Sequence, residues 1–106
     1  MKENRTVFRK HCYSKALIEN IPGYLRDITE EGFKITTLNP LRMKPNEIIR
    51  ITLIPEESLQ LETINITAEL RWEKTTSVYF YYGFHLNSFK DSEAEKRYKK
   101  LMALYS

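Results

Sequence analysis

A chain of 106 residues, 42% of them hydrophobic, has material for one core and leaves no room for a second domain. Its charged residues, 29% of the total, form no long block of one sign, which excludes a disordered tail, and a formal charge of +3 is too slight an excess to imply nucleic acid. Cys12 is the single cysteine, so no internal disulfide forms, and His11 and His85 lie too far apart in sequence to suggest a metal site.

The start, Met1-Lys2-Glu3-Asn4-Arg5, leads into no apolar signal segment, and no run approaches the roughly 20 apolar residues of a spanning helix. A soluble, cytoplasmic protein is expected, with its polar N-terminal segment mobile. Three short β-like segments follow, Ala16 to Ile21, Tyr24 to Ile28 and Phe33 to Leu38. Gly23, Gly32 and the pair Asn39-Pro40 punctuate them as turn residues. A longer segment, Ile48 to Ile54, is bounded by Pro45 and Pro55.

From Leu61 to Trp72 the residues Ile64, Ile66, Ala68, Leu70 and Trp72 alternate with polar ones, the period of a strand with one buried face. Val78, Phe80, Tyr82, Phe84 and Leu86 repeat that pattern, and Glu73 to Ser77 between the two runs predicts a hairpin turn. Strand after strand without an intervening helical pattern indicates an antiparallel barrel or sandwich. The period then changes. Tyr98, Leu101, Met102 and Tyr105 fall at helical spacing, so a helix is predicted from Asp91 onward, with Ser92 and Glu95 as a capping box. Lys96, Arg97, Lys99 and Lys100 are expected to be its solvated face and favourable charges near its C-terminus. The expectation is a single all-β domain over residues 1–106, a barrel with a C-terminal helix packed on it.

No catalytic constellation stands out. His11 and Cys12 are neighbours and would point to opposite faces of a strand, no glycine-rich phosphate loop precedes a helix, and no carboxylate pair separates from the 14 acids. The expected role is therefore not enzymatic.

Two short motifs carry more information: Arg5-Thr6-Val7-Phe8-Arg9 and Asp27-Ile28-Thr29-Glu30-Glu31-Gly32. Together they resemble the PilZ family, whose cyclic di-GMP site is written R-x-x-x-R followed by [D/N]-x-S-x-x-G. The resemblance implies a six-stranded antiparallel barrel with a C-terminal helix, in which Leu70-Arg71-Trp72 and Tyr82-Gly83-Phe84 lie on paired late strands. It implies cyclic di-GMP as ligand, no cofactor, and a protein effector as partner. The chain departs from the family at Thr29, which keeps the hydroxyl of the usual serine but adds a methyl group.

The residue types suit that ligand. Guanidinium groups fork onto guanine O6 and N7 or onto phosphate oxygens, which makes Arg5 and Arg9 the expected clamp, on a flexible segment of residues 1–10. Asp27 can accept from a guanine's N1–H and amine, Thr29 can donate or accept, and Gly32 permits a left-handed turn and close backbone approach. The expected function is a stand-alone receptor or adaptor in which the ligand orders the N-terminal segment and thereby signals to a protein partner. The alternative is a degenerate module of the same family that contacts proteins without binding nucleotide. Single-stranded nucleic acid, with Tyr79, Tyr81 and His85 as stacking groups, ranks last.

Overall fold

The computed structural model describes residues 14–105. Strands β1 (Lys15–Ile18), β2 (Ile21–Ile28), β3 (Gly32–Thr37), β4 (Ile48–Ile54), β5 (Ile64–Thr75) and β6 (Phe80–Phe89) precede helix α1 (Ser92–Tyr105). All pairings are antiparallel, and the order β1-β2-β3-β6-β5-β4 closes on itself because β1 also pairs with β4. The expected six-stranded barrel with a C-terminal helix is the observed fold.

Alternation fills the interior. Ile18, Ile35, Ile51, Leu53, Ile64 and Leu70 are essentially fully buried, each adding roughly 1.5–3 kcal/mol of burial free energy. At one end of the barrel the stacked Phe33 and Phe84 rings, 5.6 Å apart, meet the edge of Tyr98 from α1. Helix α1 closes that end with Ala94, Tyr98 and Leu101 buried and Met102 and Tyr105 partly so, the stripe that the helical spacing predicts. The buried hydroxyl of Tyr82 accepts from the amide of Leu41 at 2.8 Å and so ties the β3–β4 connection to the barrel.

Several local expectations change. The first turn is not at Gly23 but at Glu19 and Asn20, both with positive φ (48° and 83°), so β1 ends at Ile18 and Ile18 pairs with Ile21 in a two-residue hairpin. Gly23 is instead within β2, where a Cβ would lie 2.8 Å from the Ile35 side chain and the Thr36 carbonyl. Strand β5 runs on to Thr75, and Val78, 61% exposed, belongs to the turn and not to the core. The helix is capped by Asp91, whose Oδ1 accepts from the Ala94 amide at 2.9 Å; Ser92 is already helical, and Glu95 pairs with Lys99 at 3.4 Å. The last turn of α1 carries no basic residue, so Lys96, Arg97, Lys99 and Lys100 do not act as charges at the helix C-terminus; Lys96 pairs with Glu93, and Arg97 reaches Glu62.

Candidate ligand-binding site

The turn between β2 and β3 holds the second sequence motif. Thr29 is its fastener: the hydroxyl accepts from the amides of Glu31 and Gly32 and approaches the Gly32 carbonyl, all at 3.3 Å, while the Thr29 amide donates to that carbonyl at 2.8 Å. A serine makes the same bonds, so the extra methyl leaves the turn intact. These bonds commit much of the hydroxyl's capacity to the backbone, which gives Thr29 the shaping of the turn as its first task. From below, the buried Tyr98 hydroxyl donates towards the carbonyls of Thr29 (2.7 Å) and Gly32 (3.1 Å). Burial raises the Tyr98 phenol well above the ordinary tyrosine range.

Gly32 does not adopt a left-handed conformation, because no glycine here has positive φ. The expected left-handed role is therefore absent, and close approach is its reason for being glycine. It pairs with His85, and a Cβ at this position would run into the carbonyl oxygen of Phe84. No rotamer change relieves a clash with backbone.

Two β-bulges border the turn. In β2 the pairing passes from Leu25–Ile35 to Asp27–Lys34, leaving Arg26 unpaired; in β5 it passes from Leu70–Phe84 to Trp72–Gly83, leaving Arg71 unpaired. Each inserted arginine reverses the phase of the strand beyond it. Strict alternation puts Asp27 on the inner face of Leu25 and Trp72 on that of Leu70; the bulges turn both outward. Trp72, expected among the buried residues, is 46% exposed for this reason.

The result is one outward row across four strands, Asp27–Lys34–Gly83–Trp72. The indole lies flat against Gly83, where a Cβ would collide with its ring. Beside this row stand His85 and Arg71, and the whole encloses an open groove of about 260 Å³ whose lining also includes Thr29, Glu31 and Gly32. Asp27 Oδ1 accepts from the Ile28 amide at 2.9 Å, which fixes the carboxylate at the groove's edge. The groove thus offers a fixed carboxylate, cations at Lys34 and Arg71, an imidazole and an aromatic face.

Of the sequence-predicted site residues, Asp27, Thr29 and Gly32 are brought together at this groove, and Arg5 and Arg9 lie outside the described residues. Lys34, Arg71, Trp72 and Gly83 were not anticipated as site residues; a glycine in the middle of the aromatic run Tyr82-Gly83-Phe84 is the signal for a close approach in a strand. His85 shares the outer side of β6 with Tyr81, as the stacking reading supposed, but it borders the groove while Tyr81 packs edge-on against Tyr79, with ring centroids 6.3 Å apart.

The described residues thus form a closed six-stranded antiparallel barrel with a helix over one end and a polar, aromatic-walled groove on its outer face. The model of the PilZ domain matches residues 1–103, and the chain belongs to that family. No curated protein matches it. Among solved structures it is similar to the Bacillus subtilis inhibitor of motility, MotI/DgrA, with a TM-score of 0.66 and 15% sequence identity, a likeness of fold. The match covers 87% of this chain and 45% of that one, so the matched part is less than half of that structure.

Proposed function

We propose that the protein binds cyclic di-GMP in the groove between the β2–β3 turn and Trp72 and acts as a non-enzymatic receptor or adaptor. The observation that carries this reading is the outward row Asp27–Lys34–Gly83–Trp72 beside the Thr29-fastened turn. It sets a carboxylate for a guanine edge, an aromatic plane for a base and cations for phosphate within one surface. Family membership supports the same ligand. In this reading Arg5 and Arg9 close over the bound nucleotide, and the ordered segment is what a protein partner distinguishes.

Isothermal titration with cyclic di-GMP tests the reading. Binding is expected, and Arg5→Ala or Arg9→Ala is each expected to weaken it by about 1–3 kcal/mol with the fold unchanged. Amide exchange should slow at Arg5 to Lys10 on adding the nucleotide and stay constant in β5. A parent protein that gives no binding heat and no quenching of Trp72, the single tryptophan, would return the chain to the protein-interaction reading.

A further inference from the structure

We propose that the outer wall of β4, β5 and β6 holds a second binding site, for a phosphorylated sugar. A groove of about 560 Å³ there has Arg50, Thr52, Asn65, Thr67, Ser88 and Lys90 as its polar lining residues. The register arranges them in two adjacent rows across three strands. Arg50 stands opposite Thr67 and Thr67 opposite Ser88; in the next row Thr52 stands opposite Asn65, whose carbonyl accepts from the Lys90 amide at 3.1 Å. The two cations therefore occupy diagonal corners, with Cα atoms on the order of 12 Å apart by strand and residue spacing. Both side chains are long enough to converge over the centre.

The hydrogen bonds already made leave mainly donors facing the groove. Thr52 donates to Asn65 Oδ1 at 2.8 Å, which fixes the amide and leaves the two protons of its nitrogen. A third bulge leaves Asn87 unpaired beside Thr67; Asn87 Nδ2 donates to Thr67 Oγ1 at 2.9 Å, and Thr67 and Ser88 share a bond of 2.7 Å. With Thr67 accepting from Asn87 and donating to Ser88, the Ser88 proton is free to point outward. The set is a guanidinium fork, an ammonium, an amide and a hydroxyl, with no carboxylate among the described lining residues. Neither Arg50 nor Lys90 forms an ion pair among the described residues.

Donors on several sides suit a tetrahedral phosphoryl group better than a planar carboxylate. The volume exceeds that of phosphate alone and lies within the range of metabolite sites, about 300–1,000 Å³. The remaining hydroxyl and amide groups match sugar hydroxyls, whereas no aromatic side chain lines the groove to stack a base. The site is separate from the first one. Glu69 lies between Thr67 and Arg71 on β5, in the row of Ile48 and His85, and sets a carboxylate between the two grooves.

Titration of the isotope-labelled full chain with ribose 5-phosphate, followed by amide chemical shifts, tests this. Shifts are expected in both rows and not at Asp27 to Gly32; inorganic phosphate should reproduce the response near Arg50 and Lys90 more weakly, and ribose alone should not. Arg50→Gln and Lys90→Gln should each weaken binding about tenfold, the loss of one charge-assisted contact, with the other resonances unmoved because both residues are exposed. Absence of shifts in the two rows, shifts centred on the first groove, or full binding by the double variant would overturn the assignment.

Discussion

Tyr98 joins the helix to the β2–β3 turn through a single hydroxyl, and the consequences are measurable. Tyr98→Phe keeps the ring among Phe33 and Phe89 but leaves the Thr29 carbonyl without that donor, which should cost about 1–3 kcal/mol in denaturant unfolding. The raised phenol fixes the sign of a pH effect. The folded state holds this proton more tightly than the unfolded state, so its stabilising contribution is complete below the ordinary tyrosine value of about 10 and declines as the pH rises beyond it. Urea midpoints should fall above pH ~10 in the parent and fall less in Tyr98→Phe. Gly83 offers a second test at this scale. Gly83→Ala must displace the indole of Trp72, and where Trp72 is the base platform, nucleotide affinity should fall by about 1–3 kcal/mol, with a change in tryptophan emission as the control that the ring has moved.

Elements differ in how openly the sequence declares them. The run Ile64 to Leu70 and the stripe Tyr98, Leu101, Met102 and Tyr105 were legible because burial on one side imposes a period, and the structure buries those residues as expected. The β1–β2 hairpin was not, since Gly23 gave a stronger turn signal than Glu19-Asn20; the glycine answers to crowding across the sheet, which local sequence does not report. Helix capping was misassigned by one residue, Asp91 in place of Ser92, because both are good caps and only the backbone decides. Asp91→Ala should accordingly lower stability by about 1 kcal/mol, and Ser92→Ala by much less, as thermal unfolding would register.

At the scale of the molecule, the described residues form a closed wall with both grooves on its outside. The candidate groove was partly readable: Asp27, Thr29 and Gly32 carry a motif, while Lys34, Arg71 and Trp72 reach the same groove only through pairings between distant strands. Trp72 was misplaced for a definite reason, since a periodic pattern cannot show that Arg71 has been inserted into it. From this follows a sense in which the two arginines are surplus to the strands that carry them. Replacing Arg26 or Arg71 by another residue keeps the bulge, and removing either one makes its flanking residues direct neighbours on opposite faces, so Asp27 and Trp72 face outward in both cases. Removal of Arg71 and Arg71→Ala should therefore both leave tryptophan emission in place, and a blue shift on removal, with the indole carried into the barrel, would contradict this. The insertion is room for one more side chain beside a row that plain alternation without it presents anyway, and a lineage can gain or lose that cation without turning the wall inside out.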